Sequence, residues 1–164
     1  MTDDDRQVRL AQPSEEDDLM EMCRMLHEEN GLFPMSEDRV RQVLRMAFER
    51  KGGILGVIGE RGKIEAMICL LISQIWYWDQ WHLDELFSYC RPEYRKSNNS
   101  KLLINFATRC ADEMGLPLII GIVSNKRTAA KIRLYQATLG LKPSGAFFVH
   151  NTKWDKPQAV NGHG

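Results

Sequence analysis

Residues 66–78 run for 13 positions without a charge, and only Ser73 and Gln74 relieve their apolar character. A helix that crosses a bilayer needs about 20 such residues, so this stretch does not predict a span. Read as a strand it has no face suited to water, and such a strand lies inside a sheet with cover on both sides. The 164-residue chain is long enough to supply that cover within one domain. Hydrophobic residues make up 43% and charged residues 27%, a balance that excludes a disordered chain.

The flanking patterns supply the layers. Val8-Arg9-Leu10 alternates and predicts a first strand. Ser14 reads as an N-cap followed by four acids, Glu15 to Asp18, where the helix dipole favours them. Leu19, Cys23 and Leu26, with Met22, then repeat at helical spacing, and Gly31 suits the C′ position. Ser36 caps a second helix whose stripe is Val40, Val43, Leu44, Ala47 and Phe48. Arg50 and Lys51 fall in its last turn, and Gly52-Gly53 end it. Runs 54–58 and 64–77 read as strands joined by the turn 60–63, and a third strand covers 82–90. A helix over 100–114 carries Leu103, Ala107 and Cys110 on one face and closes at Gly115. Residues 118–123 predict a strand, Thr128 caps a helix to about Thr138, and 146–150 form a last strand. The order β-α-α-β-β-β-α-β-α-β holds a three-strand meander and a parallel crossover over 82–123. It predicts an α+β fold of three layers, one mixed sheet between helices. Residues 8–152 make the domain, with an acidic flexible arm at 1–7 and a loose tail at 153–164.

Charge and cysteine usage narrow the class. Twenty-two basic residues balance 22 acidic ones, which argues against nucleic-acid coating by net charge. Residues 1–38 nevertheless hold 12 acids and three bases, so the remainder carries +9. Solvated helix faces account for that asymmetry, and so does a basic remainder that holds an anion. The start, MTDDDRQVRL, has no apolar segment behind basic residues, so no secretory signal is predicted and a soluble, cytoplasmic protein is expected. Cys23, Cys69, Cys90 and Cys110 form no CxxC or Cys/His cluster; free thiols and no metal site are expected.

The chemistry is concentrated between Leu83 and Leu103, where a buried strand enters the polar loop 91–99 and leaves as a helix. The first turn of that helix has amides without intrahelical partners and the positive end of the dipole, a place that binds phosphate. Arg91, Arg95, Lys96 and Lys101 add charge around it. An ordinary strand-to-helix turn with a polar cap is the other reading.

Pro92-Glu93-Tyr94-Arg95, then Lys96-Ser97-Asn98-Asn99-Ser100, then Leu102-Leu103 resemble the loop of the GNAT superfamily of acyl-CoA-dependent N-acyltransferases. That loop reads Pro-Glu-Tyr-Arg, continues as Arg/Gln-x-x-Gly-x-Gly/Ala, and enters the helix at Leu-Leu. Asn98 and Ser100 stand where the family has glycines. Ile132-Arg133-Leu134-Tyr135, Leu139-Gly140-Leu141 and Gly145-Ala146-Phe147-Phe148 are similar to its closing segment, Ala-x-x-Leu-Tyr-x-x-x-Gly-Phe and a last strand. The family asparagine before that helix is out of register: Asn125 ends the preceding strand and Thr128 caps. The likeness spans roughly residues 8 to 150.

The resemblance implies a sheet of six to seven strands with a splayed parallel pair, and acetyl-CoA as cosubstrate without a metal. It further implies transfer of the acetyl group to a primary amine by direct attack in a ternary complex. Loop amides from Arg95 to Ser100, including Lys96, Ser97, Asn98 and Asn99, would hold the pyrophosphate, with Arg91, Asn125 and Arg127 beside it. The strand end at Tyr89-Cys90 would supply the oxyanion donor. Tyr135 is the candidate acid for the departing thiolate, or an aromatic on a buried helix face. Asp84 and Glu85 are the candidate bases, or strand-start carboxylates paired with a cation. Strand alternation puts them on opposite faces, and Asp84 lies eleven residues before Arg95, a spacing at which some members carry a glutamate base. Cys90 sits near the thioester, but nothing beside it in sequence activates a thiol, so no covalent intermediate is expected.

Three questions stay open at this level. The aromatics of residues 75–81 read as hairpin packing, a homodimer contact or an acceptor wall, and Leu32-Phe33-Pro34 is a second candidate wall. Lys126, Arg127, Lys131 and Arg133 suit either coenzyme phosphates or RNA, so the acceptor is a small molecule, a protein or an aminoacyl-tRNA. The alternative to an enzyme is a binding or assembly module of the same fold, which the missing glycines favour.

Overall fold

A computed structural model describes residues 7–122, 127–146 and 148. Its elements are β1 (Arg9–Leu10), α1 (Glu16–Asn30), α2 (Glu37–Phe48), β2 (Gly53–Glu60), β3 (Lys63–Ser73), β4 (His82–Cys90), α3 (Asn99–Met114), β5 (Leu118–Ile119) and α4 (Thr128–Arg133). The five strands lie in the order β1-β2-β3-β4-β5, antiparallel except for β4 and β5.

The charge-free run supplies β3, and its placement follows from its composition. Residues Ala66, Met67, Ile68, Cys69 and Leu70 are all buried. Met67 and Cys69 enter a core with Leu19, Met22 and Leu44 of α1 and α2. Ile68 and Leu70 enter a second core with Leu103, Ile104 and Ala107 of α3. Two apolar clusters on opposite faces make the three layers that the sequence predicts. The sheet is smaller than the expected six to seven strands, with five among the described residues. The expected strand over 146–150 falls largely outside the described residues, as do Asn125, residues 1–6 and the tail.

Several local expectations give way to tertiary contacts. Glu15 does not face water as a first-turn acid. It is 3% exposed, receives Arg9 through two hydrogen bonds of 2.6 and 2.9 Å, and caps the Gln12 amide at 2.9 Å, so Gln12 rather than Ser14 starts the helical turn. Ser36 caps α2 as expected, accepting from the Arg39 amide. The helix stops at Phe48, however, and Arg50 takes the left-handed position (φ 55°). The Lys51 amide donates to Met46 and the Arg50 amide to Ala47, a Schellman closure without glycine. Gly31 is extended (φ −65°) and serves close approach instead, since a β-carbon there would collide with the His27 ring. Strand β3 ends at Ser73, and Trp76 and Tyr77 stand exposed in the turn beyond it. On α3, Ile104 and Ala111 rather than Cys110 complete the buried face. Thr128 is the first residue of α4, not its cap, and the helix widens into a π turn over Leu134–Thr138.

Strand β4 carries the two irregularities that open a site. Its register against β3 slips between Cys69 and Leu70, whose partners are Phe87 and Glu85, so Leu86 is bulged out. The bulge reverses side-chain parity along the strand. Leu83 and Glu85 face α3 and α4 before it, and Ser88 and Cys90 face them after it, while Phe87 and Tyr89 pack toward α1 and α2. The second irregularity is the parting of β5, which pairs with β4 only at Leu83 and Asp84. From Glu85 to Cys90 the outer edge of β4 has no strand partner among the described residues.

Candidate active site

A cavity of about 100 Å³ lies along that open edge. It is lined by Ser88 and Cys90 of β4, Ser100 and Leu103 of α3, Lys131 and Tyr135 near α4, and the α1 end at Glu29. The Arg91 amide donates to the Glu65 carbonyl at 2.9 Å, which sets the phase of the antiparallel ladder. By alternation, the amides of Ser88 and Cys90 point away from β3 toward the cavity, whereas that of Tyr89 is turned to Met67.

The loop after β4 arranges its amides unevenly. Those of Tyr94, Arg95 and Ser97 donate back into the loop, and that of Asn99 to the Ser97 hydroxyl. The amides of Lys96, Asn98, Ser100 and Lys101 have no partner among the described residues, and Leu102 is the first to donate into the helix, to Asn98. Three of these donors, at Asn98, Ser100 and Lys101, lie at the start of a 16-residue helix, where open amides and the dipole favour an anion. Asn98 does not need glycine's freedom: it sits at φ −80°, ψ 7°, and no residue from 91 to 100 has a positive φ.

Glu85, Ser88 and Tyr135 lie on the α3-facing side of β4. Glu85 is buried, and burial pushes its carboxyl above the ordinary glutamate range. The Ser88 hydroxyl and the Gly121 amide oppose that rise. Ser88 also approaches Tyr135, whose phenol is pushed well above its ordinary value by burial and then by the charge of Glu85. The bulge puts Ser88 on the same face of β4 as Glu85, a relation that uninterrupted alternation forbids. Asp84 is half-buried beside His82 where β4 and β5 are still paired, outside the cavity wall. Burial raises the Cys90 thiol as well, so it is held protonated rather than activated.

The chain is similar to an acetyltransferase of Trypanosoma brucei, at 18% identity over 90% of this chain and 99% of that one, with a TM-score of 0.67. It is similar to a predicted acetyltransferase of Clostridium acetobutylicum with acetyl-CoA, at 12% identity over 88% and 95%, TM-score 0.68. It is also similar to an aminoglycoside 6′-N-acetyltransferase of Acinetobacter haemolyticus, at 15% identity over 91% and 99%, TM-score 0.66. The fold is that of the GNAT acetyltransferases. No protein-family model matches the chain, and no curated protein matches it.

Within this GNAT frame the candidate residues divide. Tyr89, Cys90, Arg95, Ser100, Arg127 and Tyr135 line the cavity, Lys96, Ser97 and Asn98 belong to the loop beside it, and Asn99 opens α3 with its buried side chain donating to Glu65 at 2.9 Å. Two of the loop cations are engaged elsewhere. Arg91 binds the Ile64 carbonyl at 2.8 Å and Glu21 at 3.1 Å. Arg95 grips Glu29 with one nitrogen 2.6 and 2.7 Å from its two oxygens, binds the Cys90 carbonyl at 3.1 Å, and lies 5.5 Å from the Tyr89 ring centroid. Tyr89 donates to the same Glu29 at 3.1 Å. The aromatic turn 75–81 and Leu32-Phe33-Pro34 do not line the cavity.

Glu29 was not legible in the sequence, because its partner lies 66 positions away. It latches the loop to α1, and its loss leaves Arg95 without its counter-charge. Glu29→Gln is expected to lower stability by about 1–2 kcal/mol, the figure for charged hydrogen bonds after discounting partial exposure. Amides from Arg95 to Ser97 should exchange faster in the variant. Unchanged exchange and an unchanged melting temperature would remove Glu29 from the loop's support.

Proposed function

We propose that this protein transfers the acetyl group of acetyl-CoA to a primary amine by direct attack within a ternary complex. The observation that carries the reading is the row of unpaired amides at Lys96, Asn98, Ser100 and Lys101 beside the open edge of β4. The loop amides, with the Lys96, Lys101 and Arg127 side chains, would hold the diphosphate of the coenzyme. The Ser88 and Cys90 amides would receive the pantetheine arm and the thioester oxygen.

Each chemical demand has a residue. An acceptor ammonium, with a pKa near about 10, must lose a proton; Glu85 takes it by way of the Ser88 hydroxyl. The Cys90 amide stabilises the oxyanion that forms as nitrogen attacks. Tyr135 gives its proton to the leaving thiolate. Asp84, at the paired end of the strands, serves less well as base. The aminoglycoside acetyltransferase among the similar structures supports a small-molecule amine as acceptor over a protein or an aminoacyl-tRNA. The assembly-module reading drew on the missing glycines, and the ordinary backbone angles at Asn98 weaken that ground.

Thermal unfolding with acetyl-CoA tests the reading. At a hundredfold excess over Kd, binding stabilises by about 2.7 kcal/mol, a rise of roughly 5–10 °C in a domain of this size. No shift at millimolar acetyl-CoA overturns it. Release of free thiol with a panel of small amines then identifies the acceptor class.

A further inference from the structure

Lys131 is the one lysine in the cavity wall among the described residues, and nothing in the proposed transfer uses it. It lies four residues before Tyr135, so both project from one side of the α4 turn, and the cavity collects both with Ser88 and Cys90. Its ammonium forms no ion pair among the described residues; Lys51, by contrast, is exposed and paired with Glu49 at 2.6 Å. Glu85 and Glu29 attract it from a distance, while Arg127 and Arg95 repel it. Burial outweighs these and pulls its amine below the ordinary lysine range, so more of it is neutral near pH 7 than at a surface lysine.

We infer that Lys131 is a self-acetylation site, its Nζ taking the acetyl group of acetyl-CoA bound in the cavity. This rests on the acetyl-CoA reading above. The neutral amine attacks the thioester carbonyl, forming a C–N bond as the C–S bond breaks. The proton shed by nitrogen passes to Glu85, and the thiolate takes its proton from Tyr135, so the products are acetyl-lysine and free CoA thiol. No oxidant or further reactant is required. The amide does not turn over: each chain accepts one acetyl group, and the acetamide then occupies part of the cavity.

The full chain incubated with acetyl-CoA and no added amine, then mapped by peptide mass spectrometry, tests this. One acetyl group per chain is expected, on Lys131, with a rate constant independent of protein concentration. Bound reactants are pre-oriented, so Lys131 should react at least about tenfold faster than exposed Lys51. Lys131→Arg keeps the charge and should abolish the modification while acetyl-CoA still raises the melting temperature. A thermal shift with Lys131 unmodified overturns the inference and leaves the transferase reading standing. Acetylation spread evenly over Lys51, Lys96 and Lys101 overturns it too, since that is solution chemistry. Neither shift nor acetylation overturns both.

Discussion

Glu85→Gln should lower kcat by about 10²–10⁴-fold, the usual contribution of a positioned base, while the thermal shift with acetyl-CoA persists. Glu85 stands behind Ser88, outside the cavity wall, and the loop amides that would hold the coenzyme do not touch it. On the proposed mechanism its removal should therefore take away proton transfer, not binding. The sign of the pH dependence is fixed by burial. On the proposed mechanism the working form is the carboxylate, and burial raises its pKa, so kcat should fall as pH drops through a value above the ordinary glutamate range. In Glu85→Gln that limb of the profile should vanish. Stability should move the other way. A carboxyl with a raised folded pKa favours the fold while protonated, and that contribution is lost as pH rises through the folded value. Glutamine keeps the neutral form, so the variant should melt no lower than the parent at pH 8 and converge with it in acid. Loss of activity with a stable fold isolates the chemistry. Wild-type turnover in Glu85→Gln, with a large loss in Asp84→Asn, would transfer the role to Asp84.

How much of this was readable from the chain depends on distance along it. The charge-free run announced a central strand, and Ser36 and Gly115 announced helix ends, because each signal is local. The loop was legible as a sequence of residue types, down to the helix start at Asn99, one position before the prediction. What escaped depends on register or on remote partners. Leu86 looks like any strand residue, and its bulge exists only because β3 and β4 slip against each other between Cys69 and Leu70. Without it, Ser88 falls on the face opposite Glu85, and so its hydroxyl was not counted. Lys131 merged into a basic cluster with Arg127 and Arg133, although α4 turns Lys131 inward and leaves the other two exposed. Glu15 read as a dipole-matched surface acid because Arg9 approaches it from the first strand.

Tyr135→Phe should reduce kcat by about 10²-fold with little change in acetyl-CoA affinity. The ring packs in the α3-side core with Leu103 and Ile104, and phenylalanine preserves that packing, so the variant removes one hydroxyl and little else. A phenol well above its ordinary value stays protonated across the working pH range and is a standing proton source for a thiolate. Its placement is costly to build, because the helix widens to a π turn at Leu134–Thr138, where the Leu139 amide reaches back to Leu134 at 3.1 Å. The test lies in the leaving group. If Tyr135 protonates sulfur, the variant should lose most with amines whose attack is easy, because departure of the thiolate then limits the rate. Acetyl donors with more acidic thiols should recover much of the loss. An equal defect with every donor would mean that Tyr135 only shapes the cavity, and an unchanged kcat would leave the thiolate to be stabilised by solvent or by Lys131.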